Sequence, residues 1–350
     1  MRTTIRTIMA GGALAALAAC SDSSGPGEPG GFDSRRVKDG LATVEQVGAS
    51  PVLKSFQALG GQLGAAAAAN RMSGTDRYLA AVQSIAGIVR PETQAALVPI
   101  IRSSMLGKTL VYDPATKAYI ASNRTGAPAN GVRFALYQND AENRPIVAQE
   151  IGAADLTDTK ASSATSAGLR LTVTSNGKTY LDYAFDLSGT IAVAVVTVDG
   201  YMSDGTNRVD FKITTTGQVF GRGGTATIDA KLEVAAQQFK ITAKVKGPAG
   251  GGTGPTEIDL TVTAGSDVVA VSSKDTGSSL DAKITVNGKV FATVTGTSAS
   301  PVIKGDGGRE LTAEELTALG EVVKFAEGVF ELIGGLLAPA GALLLIGLGL

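Results

Sequence analysis

From Gly107 to about Gly296 the apolar residues recur at every second position, and no other feature of the chain constrains its fold as strongly. In Thr225 to Val234, Ile228, Ala230, Leu232 and Val234 alternate with Thr227, Asp229, Lys231 and Glu233. Successive side chains on a strand point to opposite faces, so this alternation predicts a sheet with one buried and one wet face. The same pattern recurs in Leu169 to Val173, Val209 to Ile213, Phe239 to Val245, Ile258 to Val262 and Leu280 to Val286. Asn176-Gly177 and Asn287-Gly288 supply the two positive φ angles of a type I′ turn, which predicts two hairpins. Both turns continue into lysine, either as a faint internal repeat or as two independent good turns.

Short strands joined by tight turns without crossover helices predict a mainly β, α+β fold built on an antiparallel meander. A sheet this long must twist and curl, so the expected form is curved, either open or a half barrel. Its apolar face needs a cover: a second sheet, closure of the barrel, or helices in the concave side.

The flanks offer helices. From Phe32 to about Leu106 the pattern is helical and rich in alanine. Ser50-Pro51 reads as a cap followed by proline at the first helical position, ahead of Val52, Phe56, Leu59 and Leu63 at helical spacing. Thr75 to Val89 repeats the pattern with Tyr78, Leu79, Val82, Ile85 and Val89, and Pro91 ends it. At the other end, Thr312-Ala313-Glu314-Glu315 is a capping box that predicts a helix starting at Ala313. A stripe from Leu316 through Leu319, Val323, Ala326, Phe330 and Ile333 to Leu337 follows.

Leu332 to Leu350 carries no charge. As an unbroken helix it would reach roughly 28 Å, the thickness of a bilayer core. Gly334-Gly335 and Pro339 divide it, which suits short helices plugging the concave side of the sheet. A membrane-lying or membrane-inserted tail and a partner-binding surface stay open beside that plug. The fold expected is therefore the meander with N-terminal helices and a C-terminal apolar helical segment covering it.

The start of the chain is an address. Arg2 and Arg6 precede a charge-free run from Thr7 to Ala19, which is too short for a permanent span and ends in small residues. Leu17-Ala18-Ala19-Cys20 resembles the lipobox of bacterial lipoproteins. That resemblance implies cleavage before Cys20, lipid such as palmitate on it, and the membrane as a partner through that anchor. Ser21 to Gly31, rich in Ser, Gly and Pro, reads as the leash behind it. By the same resemblance Ser21, in place of an aspartate, implies the outer membrane. The domains expected are 1–19 signal peptide, 20–37 lipidated tether, 38–106 helical segment, 107–310 antiparallel β domain, and 311–350 amphipathic helix with apolar tail.

Composition narrows the chemistry. Cleavage removes Arg2 and Arg6 and no acid, so 31 basic against 32 acidic residues become 29 against 32, with no excess of positive charge to draw nucleic acid. The chain has no histidine, and its one cysteine is the lipidation candidate. That removes Ser-His-Asp and Cys-His nucleophiles, His/Cys zinc sites and internal disulfides. The absence of tryptophan weakens a sugar-stacking site, although tyrosines remain.

Four segments look chemical. Gly221-Arg222-Gly223-Gly224-Thr225-Ala226 has the letters of a dinucleotide loop but runs into a period-two strand, where a turn or bulge is the simpler reading. Ser175-Asn176-Gly177-Lys178 matches Ser-x-x-Lys in form but lies in a hairpin. Asp155 with Asp158, and Asp204 near Asn207, offer oxygens without the order of a calcium loop. Thr125 to Phe134, with Gly126, Pro128, Gly131 and Arg133, suits a constrained turn and a ligand loop equally.

No catalytic, metal or cofactor site is expected; the site residue is Cys20. The function expected is that of a non-catalytic envelope lipoprotein with a structural or partner-binding role. The alternative is a carrier or chaperone of an apolar ligand. A curved sheet covered by helices is similar in architecture to lipid-transport lipoproteins, a likeness that fixes no residue.

Overall fold

The computed structural model describes residues 34–62, 101–163, 166–189, 193–217, 224–248, 254–297, 299–313 and 315–316. Among these residues two helices come first, α1 (Ser34–Gly48) and α2 (Pro51–Gln62). Fifteen strands follow. They are β1 (Lys108–Asp113), β2 (Ala118–Ser122), β3 (Gly131–Asn139), β4 (Pro145–Ser163), β5 (Ser166–Ser175), β6 (Lys178–Gly189), β7 (Ala194–Ser203) and β8 (Arg208–Gly217). They continue as β9 (Thr225–Val234), β10 (Phe239–Pro248), β11 (Thr256–Ala264), β12 (Asp267–Asp275), β13 (Leu280–Val286), β14 (Lys289–Thr297) and β15 (Ser300–Gly305).

All fifteen strands belong to one sheet, and from β3 to β15 each strand lies beside its predecessor, as the alternation and tight turns predict. The expected hairpins are present: Asn176 and Gly177 have φ of 49° and 74°, and Asn287 and Gly288 have 49° and 77°. In β9, Ala226, Ile228, Ala230, Leu232 and Val234 are buried while Thr225, Asp229 and Lys231 are exposed. The meander departs from its antiparallel rule once. β1 pairs with β2 on one side and parallel to β3 on the other, through Lys108↔Val132, Thr109↔Arg133 and Leu110↔Phe134.

Two expectations about the sheet's form need correction. The strand order runs linearly from β15 to β2, so the sheet is open, neither closed nor strongly curled into a half barrel. The two edge strands, β15 and β2, do not pair with each other. The helices packed on the apolar face among the described residues are the N-terminal pair: α2 lies on β3–β6 and α1 on β7–β11. An apolar face demands burial, but its alternation does not say which segment supplies it. The expected cover, including Leu332 to Leu350, lies outside the described residues, as does the predicted helix at Thr75 to Val89. No helix among the described residues is long and apolar enough to cross a membrane.

Helix α2 starts as its sequence predicts. Ser50 caps it, with the Leu53 N–H donating to Ser50 Oγ at 3.4 Å and the Lys54 N–H to the Ser50 carbonyl at 2.9 Å. Val52, Leu53, Phe56 and Leu59 are buried against the sheet, and Ser55 Oγ donates to the Tyr137 carbonyl of β3 at 2.6 Å. Helix α1 begins at Ser34, so the last residues of the 20–37 span are helical. Its Val37, Val44 and Val47 are buried, and Gln237 Nε2 donates to Thr43 Oγ1 at 2.7 Å, linking α1 to the turn after β9. These helices and β1–β11 share one core, while Val269, Leu280, Ala282, Ile284, Val286, Ala292 and Val294 form a second beneath β12–β14.

The capping box at Thr312 closes in both directions. The Glu315 N–H donates to Thr312 Oγ1 at 3.2 Å, and the Thr312 N–H donates to Glu315 Oε2 at 2.9 Å. Ala313, Glu315 and Leu316 are helical.

Candidate functional site

The wet face of the sheet is laced with ion pairs. Arg170 holds Asp182 through Nε–Oδ1 and Nη2–Oδ2 at 2.7 and 2.6 Å. Arg208 binds Asp210 at 2.6 Å and lies 3.7 Å over the Tyr201 ring. Lys246 and Lys274 converge on Glu257 at 3.7 and 3.1 Å. Exposed pairs of this kind contribute little stability each, typically under about 1 kcal/mol. Their main effect is to keep a very wide face hydrated and balanced in charge.

One part of that face is concave. A groove of about 390 Å³ lies over β1, β3, β4 and β5. Its floor is made of small residues in register, Ala135 beside Ala153 and Ala153 beside Thr174. Their neighbours Phe134, Ala154 and Val173 are buried in the core, and strand alternation turns the floor residues to the opposite face, where Ala135 is itself only 2% exposed. Gly152 lines the groove where β4 bulges against Leu136 and Tyr137. A Cβ there would sit 2.2 Å from the Thr174 carbonyl oxygen, so the close approach of β4 to β5 requires glycine.

Charged side chains form the walls. Arg133 of β3 meets Asp155 of β4 in a fork, Nε–Oδ1 at 2.7 Å and Nη2–Oδ2 at 2.6 Å, with the side chains 31% and 19% exposed. Arg124 reaches Glu150 at 2.5 Å in a more open setting. Hydrogen bonding to these carboxylates raises the pKa of both guanidiniums, Asp155 acting on Arg133 and Glu150 on Arg124. Burial, with the Glu150 charge next, raises that of Tyr137.

The loop after β2 explains the parallel pair and places the site. Residues 123–130 carry the chain past β1 so that β3 enters on its far side. The turn is fixed by the Gly131 N–H to the Pro128 carbonyl at 3.1 Å, the Asp158 N–H to the Asn130 carbonyl at 3.1 Å, and Asn130 Nδ2 to the Asp158 carbonyl at 2.9 Å. Gly126 has φ of 100°, and Arg133 Nη1 lies 3.1 Å from where its Cβ would be, so the loop folds closely over the guanidinium. Thr125 to Arg133 thus serves as a structural crossover and as one wall of the groove.

The remaining sequence candidates are ordinary structure. Ser175 to Lys178 is a hairpin in which Ser175 Oγ donates to the Ile151 carbonyl, so no lysine activates it. Asp155 is engaged by Arg133, and the Asp158 side chain accepts from the Lys160 N–H at 3.2 Å. Asp204 accepts from the Thr206 and Asn207 N–H groups at 2.8 and 2.7 Å, an Asx turn. Gly224 leads into strand β9 and not into a helix, while Gly221 to Gly223 lie outside the described residues. Among the described residues no three His, Cys, Asp or Glu side chains group to hold a metal. Cys20 lies outside the described residues. Comparison with protein-family models, curated proteins and solved structures finds no match.

Sequence reasoning reached Arg133 and its loop but missed Thr109, Arg124, Glu150 and the small-residue floor. None belongs to a motif. They meet only because β1 runs parallel to β3 and because β4 bulges.

Proposed function

We propose that the protein is a lipid-anchored component of a bacterial cell envelope, held to the outer membrane through Cys20, with a non-catalytic structural or partner-binding role. The observation that carries this reading is Leu17-Ala18-Ala19-Cys20 behind a basic, then apolar, start and ahead of a Ser/Gly/Pro stretch. The fold supports it in two ways. A single sheet of fifteen strands offers a long, hydrated, charge-balanced surface, which suits a scaffold or a docking platform. The apolar side chains of β3–β14 are buried along most of the sheet, which leaves little bare apolar surface on the described strands.

Expression in a bacterium with a radiolabelled or clickable palmitate analogue tests the anchor. The wild-type chain should be labelled and should float with the outer-membrane fraction. Cys20→Ser should lose the label and accumulate as uncleaved precursor. Identical processing and labelling of the two chains would overturn the assignment.

A further inference from the structure

The hydroxyl of Thr109 has no hydrogen-bond partner, although its oxygen is sealed from solvent and the residue is only 3% exposed. Leu110 beside it points into the core, so Thr109 projects to the wet face, where it lines the groove with Arg124 and Arg133. A buried hydroxyl left unsatisfied is costly, and such groups are rare in folded proteins. Here the orphan lines the same groove as two guanidiniums. The fork on Asp155 uses Nε and Nη2 of Arg133 and leaves Nη1 on the side of the Gly126 loop. Arg124 contacts Glu150 through Nη1, in a pair whose members are 52% and 41% exposed and therefore exchange readily with another anion.

We propose that this groove is a binding site for a small hydroxylated carboxylate, of the size and chemistry of a sugar acid or hydroxy acid. The ligand carboxylate takes the place of Glu150 on the Arg124 fork, and a ligand oxygen accepts from Thr109. Its hydroxyls meet Thr174, Asn176 and the released Glu150 carboxylate. Two guanidiniums face two carboxylates, so the groove is neutral overall and a single negative charge is tolerated there better than the two of a phosphate dianion. Guanidinium planes also match a planar carboxylate in two parallel bonds. The volume is at the lower end of the range for small-molecule sites, and the lining is too polar for an acyl chain.

The test is isothermal titration calorimetry on the full chain in detergent, with glucuronate as the probe, glucose as the uncharged control and inorganic phosphate as the tetrahedral one. Glucuronate should bind with one-to-one stoichiometry and glucose should not. Arg124→Ala should weaken glucuronate roughly tenfold or more, the effect of losing a charge-assisted hydrogen bond. Thr109→Val, close in shape, should weaken it by roughly threefold to tenfold. Arg170→Ala, which breaks a similar fork elsewhere on the same face, should leave the affinity unchanged, and melting curves identify any variant that has lost its fold. Absence of glucuronate binding, tighter binding of phosphate, or full affinity in both folded groove variants would each overturn the site. None of these results depends on whether Cys20 is acylated.

Discussion

Arg133 and Asp155 stand opposite each other on adjacent strands and share two nearly equal hydrogen bonds, 2.7 and 2.6 Å, in a setting about three-quarters shielded from water. Removing one partner leaves the other partly buried and unsatisfied. Asp155→Ala should therefore lower unfolding stability by about 1–3 kcal/mol. A double-mutant cycle with Arg133→Ala, read by denaturant unfolding, should return a coupling near or above about 1 kcal/mol. The more exposed Arg124–Glu150 pair should return only about 0.2–1 kcal/mol. Equal couplings for the two pairs would contradict this ranking.

The turn glycines separate backbone strain from steric clash. Around Gly177 and Gly288 no atom lies within 4 Å of an added Cβ, so valine there meets only the cost of a left-handed φ, about 1–2 kcal/mol. Gly200 is the opposite case. Its backbone is ordinary, but a Cβ would stand 2.1 Å from the Asp182 carbonyl and 2.5 Å from Tyr183 Cα on the neighbouring strand. Gly200→Ala, though a smaller change, should lower the melting temperature more than Gly177→Val or Gly288→Val.

Helix α1 is seated on β10 through Gly40, where an added Cβ would lie 2.3 Å from the buried Phe239 ring. Gly40→Ala should lift the helix and destabilise the protein, despite alanine's better helix propensity. Phe239→Leu should partly rescue the Gly40→Ala variant while being harmful alone. Additive losses in the double mutant would show that the contact does not set the helix position.

The Glu315 carboxyl is held down to a pKa of about 2, first by hydrogen bonding to Arg309 and then by the Thr312 amide. A folded-state pKa below the ordinary 4.5 means that the cap contributes above that value and loses its contribution as pH falls toward 2. NMR titration of the side-chain carboxyl should give a midpoint near 2 in the wild type, and Arg309→Ala should move it upward. The pair lies at the surface, with the Arg309 side chain 46% and the Glu315 side chain 19% exposed, so solvent screening keeps the associated change in global stability small.

Much of the sheet was legible because its signals are local. Ile228 through Val234 alternate without interruption, and the two Asn-Gly pairs leave little choice of turn. Ser50-Pro51 and Thr312 to Glu315 likewise carry complete capping signals within a few residues. What escaped was non-local. Lys108 to Leu110 gives no hint that it pairs parallel to β3, since three residues of contact leave no composition signal. β4 hides its register because bulges near Ile151 and Thr159 reset the alternation, so Arg133 and Asp155 cannot be matched by counting. The groove depends on both features. The identity of the cover is hidden for a related reason: the Leu316 stripe and the N-terminal helices are both amphipathic, and amphipathicity names no partner.

The order in which strands join has a kinetic consequence. From β3 onward each strand needs only the one before it, so loop closure costs little and the sheet can extend residue by residue as the chain is delivered. Helices α1 and α2 do not share that independence. They are made first, yet α1 rests on β7–β11, which appear only after a long stretch of further chain. Until then its valines have nowhere to dock, and the growing apolar face has no helix over it. Docking of α1 therefore waits until β11 has been made, and a contact that closes so long a stretch of chain is one that unfolding should release early.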